Sequence, residues 1–196
     1  MSARVGLVRH GAHDEIGRVL SGRASDIPLN EDGRREAERL ARSLGESGAG
    51  RVETSPRLRT RQTAEILAEA LGLAVETVAA LDEIDFGAWS GRRFDELEDD
   101  PAWRHWNTAR ATAPSPGGET MAGAVARAAG HLDRLGREGG TVLCVSHCDV
   151  IRGLVAHYLG LGLDNILRFD IDPASVSWLR PDGRGGAQVL TLNGHG

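Results

Sequence analysis

Two short apolar runs in this chain each end in a histidine: Val5-Gly6-Leu7-Val8-Arg9-His10-Gly11 and Thr141-Val142-Leu143-Cys144-Val145-Ser146-His147. Runs of β-branched and apolar residues that stop at a polar residue and a turn read as interior parallel strands. In open α/β sheets, ligands bind beyond the carboxyl ends of such strands. Two imidazoles delivered there, with Arg9 beside one of them, predict a reactive pocket built for an anion.

Helical and strand patterns alternate along the rest of the chain. Asn30 can cap a helix with Ala37, Leu40, Ala41 and Leu44 inward, stopped near Gly45. A short strand is expected over Arg51 to Thr54. Ser55-Pro56 reads as N-cap and first-turn proline of a second helix, with Ala64, Leu67 and Leu71 inward and Gly72 closing it. Residues 73–79 suit another strand. Met121, Val125, Ala128, Leu132 and Leu135 keep helical spacing up to Gly139-Gly140, and a further helix is expected from Asp149 through Leu161. Strands near Ile166–Asp170, Ser175–Leu179 and Gln188–Leu192 complete the pattern. Between Asp82 and Gly118 the sequence is irregular, and a long connection of this kind is often an active-site lid. The expected fold is an α/β three-layer sandwich, a mainly parallel sheet flanked by helices. It forms one domain over 1–196, with the lid at about 85–118.

The chain's 196 residues and 40% hydrophobic content suffice for one well-buried domain. A net charge of −5 argues against nucleic acid or an anionic membrane as partner. No apolar run has the length of a membrane span, and two cysteines are too few for a disulfide framework. A cytoplasmic setting follows. All 23 basic residues other than histidine are arginine. Without lysine there is no Walker-type phosphate loop and no Schiff-base chemistry. Any phosphate must be held by arginine, histidine and backbone N–H groups.

Leu7-Val8-Arg9-His10-Gly11 resembles the Arg-His-Gly signature of the histidine phosphatase superfamily, the phosphoglycerate mutase-like proteins. Other landmarks follow in the family's order. Ser55-Pro56-Arg57-Leu58-Arg59-Thr60-Arg61 resembles the helix start that carries a second phosphate arginine, here Arg59. Leu81-Asp82-Glu83-Ile84-Asp85-Phe86-Gly87 resembles the segment with the acid, here Glu83. Pro116-Gly117-Gly118-Glu119-Thr120 resembles a turn before a helix, and Val145-Ser146-His147-Cys148 the second histidine motif.

The resemblance implies catalytic roles for His10, Glu83, His147, Arg9 and Arg59, and the residue chemistry agrees. A phosphomonoester repels nucleophiles unless cations disperse its charge; Arg9 and Arg59 give paired donors, and His147 a further one. Neutral His10 can attack phosphorus and leave a phosphohistidine that water hydrolyses. Glu83 must be protonated when the alkoxide leaves, so its pKa must be raised. Gly11 lets the backbone approach phosphate closely. Ser21, Gly22 and the Cys148 N–H are further substrate-binding candidates; the Cys148 thiol has no evident basic helper.

His10, His13, His147 and Asp149 can be drawn as metal ligands, but Arg9 and Arg59 would repel a cation. No metal and no cofactor is expected.

The chain departs from the family where its early loop lacks a phosphate-touching asparagine, and where Cys148 replaces a common glycine. The interval from Glu83 to Gly117 is shorter than in cofactor-dependent mutases. These departures favour a metal-independent, histidine-type acid phosphatase acting on a small phosphorylated metabolite. The alternatives are a mutase-type phosphotransferase and a non-catalytic phospho-ligand binding protein. Arg92, Arg93, Arg104 and His105 are candidates for a second anionic group or plain surface charges. The sequence sets no oligomeric state and leaves a homodimer open.

Overall fold

The computed structural model describes residues 3–24 and 26–195. Strand β1 (Arg4–Arg9) pairs in parallel with β4 (Thr141–Ser146), and β4 with β2 (Arg51–Thr54). The edge strand β3 (Val75–Thr77) is parallel to β2. On the other side β5 (Val176–Pro181) and β6 (Ala187–Gly194) run antiparallel, giving the order β3-β2-β4-β1-β5-β6.

Strand alternation divides the core in two. Val5, Leu7, Val142 and Cys144 face helices α5 (Met121–Glu138) and α6 (Cys148–Leu159). Val8, Val52, Leu143 and Val145 face α1 (Glu31–Ser43) and α2 (Leu58–Leu71). Helices on both faces of a mostly parallel sheet are the expected three-layer sandwich. Gly6 has a packing reason: a Cβ there would lie 2.9 Å from Leu143 and 3.0 Å from the Trp178 ring.

Most boundaries follow local chemistry. The Asn30 side chain accepts the Gly33 N–H at the start of α1. Gly72 closes α2 in the left-handed conformation, and Gly160 does the same for α6. Two expectations need correction. Helix α2 begins at Leu58, because Ser55 still follows the strand register, its N–H donating to Val145 O. No strand forms at 166–170; Leu163–Arg168 is a 3-10 turn, with Ile166 buried and Leu167 exposed. There Asp164 accepts the Ala111 N–H, which holds the turn against the 82–118 segment.

That segment contains short helices α3 (Phe94–Leu97) and α4 (Pro101–Thr108). Leu97, Trp89 and Trp106 are buried and join the α5–α6 side of the core. The Gly-Gly turn is a close-packed junction. A Cβ at Gly118 would lie 2.1 Å from Asp85 O, and one at Gly87 2.0 Å from Pro116 O. Among the described residues, no helix is long and apolar enough to cross a membrane.

Candidate active site

Register brings the two histidines together. The β1–β4 pairing sets Arg9 opposite Ser146, so both strands release histidine at the same edge. The His10 N–H donates to Ser146 O, and the two rings lie 5.4 Å apart, centroid to centroid. Ser55 leaves β2 at that edge too. His10 borders a cavity of about 190 Å³ whose walls also include Arg9, Ser21, Gly22, Arg59, Glu83 and Cys148, with His147 and Ser55 fully buried behind it.

His10 Nδ1 lies 2.9 Å from Gly11 O. A carbonyl only accepts, so Nδ1 carries the proton and Nε2 keeps its lone pair. Burial, then the charges of Arg59 and Arg9, pull the His10 pKa well below its ordinary value. The ring is therefore neutral at neutral pH.

His147 has the opposite tautomer. Arg59 Nη2–H donates to His147 Nδ1 at 3.0 Å, so the proton sits on Nε2, 2.8 Å from Ser55 Oγ. The Ser55 hydroxyl then donates to Asp82, and Arg57 clamps both Asp82 oxygens at 3.0 and 3.1 Å. Burial and Arg59 hold His147 well below the usual imidazole range. In the neutral ring Nδ1 is thus an acceptor, where the sequence reading expects a donor. An arriving dianion favours the imidazolium, which would donate.

Arg59 is almost completely buried on the first turn of α2. Its Nη2 also donates to Gly22 O, while Nε and Nη1 have no partner among the described residues. Arg9 donates through Nη1 to Ile171 O, and its buried Nε is likewise unpartnered. Glu83 Oε2 stands 3.9 Å from Arg59 Nη2 and 3.6 Å from His147 Nδ1. Burial raises the Glu83 pKa to about 7 despite the opposing charge of Arg59.

The substrate-binding candidates divide. Ser21 lines the cavity, but its hydroxyl donates to Glu15 at 2.9 Å. The Gly22 carbonyl orients Arg59. Gly11 does not line the cavity: its N–H donates to Thr63 Oγ1, and a Cβ would sit 2.4 Å from Gly33 O. Its glycine is required by α1 packing and its carbonyl by His10. Cys148 begins α6 beside the cavity, with burial pushing its thiol up to about 11. The first intrahelical donor of α6 is the Ile151 N–H, so the amides before it are free of helix bonds. Arg92, Arg93 and Arg104 are not cavity residues; they bond to Asp100, Asp95 and Glu98 O of their own segment.

Several contributors went unassigned in the sequence. Ser55 and Asp82 act through His147, and Glu119 gathers Arg23, Arg127 and the Asp85 N–H to brace the Glu83 loop. Arg152 reaches the cavity one helical turn after Cys148, a spacing that could have flagged it. Its guanidinium pairs with Asp149 and Asp170.

Fold and site together define an α/β protein with a cationic, histidine-lined pocket where its parallel strands end. The chain belongs to the histidine phosphatase superfamily (branch 1), whose sequence model matches residues 5–194. It is 37% identical over 97% of its length to the bifunctional protein Rv2228c of Mycobacterium tuberculosis, covering 53% of that protein. It thus spans about half the length of the first curated relatives it matches. Phosphoserine phosphatase 1 of Hydrogenobacter thermophilus is 32% identical over 95% of this chain and 90% of its own. The structure of Bacillus stearothermophilus YhfR superposes with a TM-score of 0.90 at 29% identity, over 100% of this chain and 98% of that one.

Proposed function

We propose that this protein hydrolyses small phosphomonoesters, without a metal, through a phosphohistidine on His10. The observation that carries this reading is the pairing of a neutral His10, whose Nε2 keeps its lone pair, with Arg59. Among the described residues, that buried guanidinium keeps two nitrogens, Nε and Nη1, without hydrogen-bond partners. Buried N–H groups left without acceptors are costly, and a bound phosphoryl group would supply those acceptors.

His10 Nε2 attacks phosphorus as the ester P–O bond breaks, and protonated Glu83 gives its proton to the departing alkoxide. Arg9 and Arg59 hold the non-bridging oxygens, joined by His147 once it is protonated. In the second step water attacks phosphorus, the N–P bond breaks, and the Glu83 carboxylate accepts the water proton. The segment at 85–118 supplies Phe86 and Phe94 to the cavity wall, and we assign to it the choice of ester. The relatives' names support phosphatase activity in this superfamily.

The test is release of phosphate from an aryl phosphate in EDTA, with the His10→Ala protein as blank. The reading requires metal-independent turnover that the variant lacks. Full activity in the variant would overturn it.

A further inference from the structure

We propose that His13 belongs to the substrate-binding set, its Nε2–H acting as a neutral hydrogen-bond donor to a phosphoryl oxygen of the bound monoester. This deepens the phosphomonoester reading and rests on it. His13 is only 6% exposed, lines the cavity, and has its ring 5.2 Å from that of His10. Its Nδ1 accepts the Glu15 N–H at 3.3 Å, so the neutral ring carries its proton on Nε2. Among the described residues, that nitrogen has no hydrogen-bond partner.

The need for such a donor follows from an account of the pocket. A phosphoryl group presents three non-bridging oxygens, each able to accept more than one hydrogen bond. The Ser21 hydroxyl is committed to Glu15 and the Gly11 N–H to Thr63. What remains is cationic, the free N–H groups of Arg9 and Arg59 and the imidazolium of His147 once it is protonated, together with the first-turn amides of α6. His13 adds a donor without adding a further buried charge. Burial, with Arg59 and Arg9 nearby, lowers its pKa to about 4, so the ring is neutral at neutral pH when it meets substrate.

His13→Phe keeps a ring and removes the donor; His13→Gln keeps an amide N–H at similar reach. His13→Leu is a second apolar replacement should the phenylalanine variant fail to fold. Two quantities are measured: kcat/KM on an aryl phosphate, and Kd for inorganic phosphate by calorimetry. A hydrogen bond to a charged acceptor predicts a roughly tenfold to hundredfold loss in both for the apolar variants. The glutamine variant should recover both to within about threefold, since its donor is retained. Wild-type phosphate affinity in an apolar variant would overturn the proposal. Equal losses in the apolar and glutamine variants would also overturn it, because that pattern marks packing. Phosphate binding needs no turnover. A wild-type protein that binds phosphate but cleaves no ester would therefore defeat the phosphatase reading alone, with His13 still judged by Kd.

Discussion

Glu83 is the residue whose environment most directly limits the chemistry. Burial raises its pKa from 4.5 to about 7. The proton needed by the leaving group is present below that value and lost above it. His10 is neutral down to well below its ordinary 6.5, so it does not limit activity near neutrality. Activity should therefore decline as pH rises through about 7. Glu83→Gln should abolish that limb and reduce kcat by about 10²–10⁴, most for alkyl leaving groups. The same shift has a stability consequence of the same sense, over a lower pH window. Between pH 4.5 and 7 the unfolded chain releases a proton that the folded one keeps, so stability falls with rising pH. Above pH 7 the glutamine variant should be the more stable, by up to about 3 kcal/mol, and the two should converge below pH 4.5. Denaturant melts at both ends of that range check the sign. At this scale, the candidates His10, Arg59, Glu83 and His147 stand in local motifs, and the fold brings their side chains together. Ser55 and Asp82 were not legible in the sequence, since their roles depend on a hydrogen-bond chain between residues 27 and 92 positions apart.

Elements were legible where local chemistry decides them. Asn30 and Gly72 each bound a helix as their side chain, or lack of one, requires, whereas the pattern read for α6 runs past its Gly160 cap to Leu161. The start of α2 was misread because a Ser-Pro pair is a good cap in isolation, whereas here Ser55 serves the His147 network. The Gly11–Gly33 contact is another tertiary demand. A Cβ on Gly33 would lie 2.1 Å from Ala12 O, so α1 and the loop after His10 meet backbone to backbone. Gly33→Ala should cost about 1–3 kcal/mol in urea unfolding. Gly130→Ala, on an exposed face of α5 with open space at its Cβ, should instead stabilise by about 0.5–1 kcal/mol.

At the scale of the whole molecule, parallel pairing of β1, β4 and β2 gathers His10, His147 and Ser55 at one edge. The layered architecture could be read from alternating patterns. The strand order could not, because β1 and β4 are separated by more than 130 residues. The early loop, the first turn of α2, the Glu83 segment and the start of α6 all close on one cavity. The central claim is that this cavity exists to pass a phosphoryl group through His10. Rapid quenching of the protein with a phosphomonoester, followed by peptide mass analysis, tests it most directly. The account predicts one phosphoryl group on the His10 peptide, stable to base and lost in acid, and absent from His10→Ala. Turnover with no phosphorylated His10, or with the label on another residue, would contradict it.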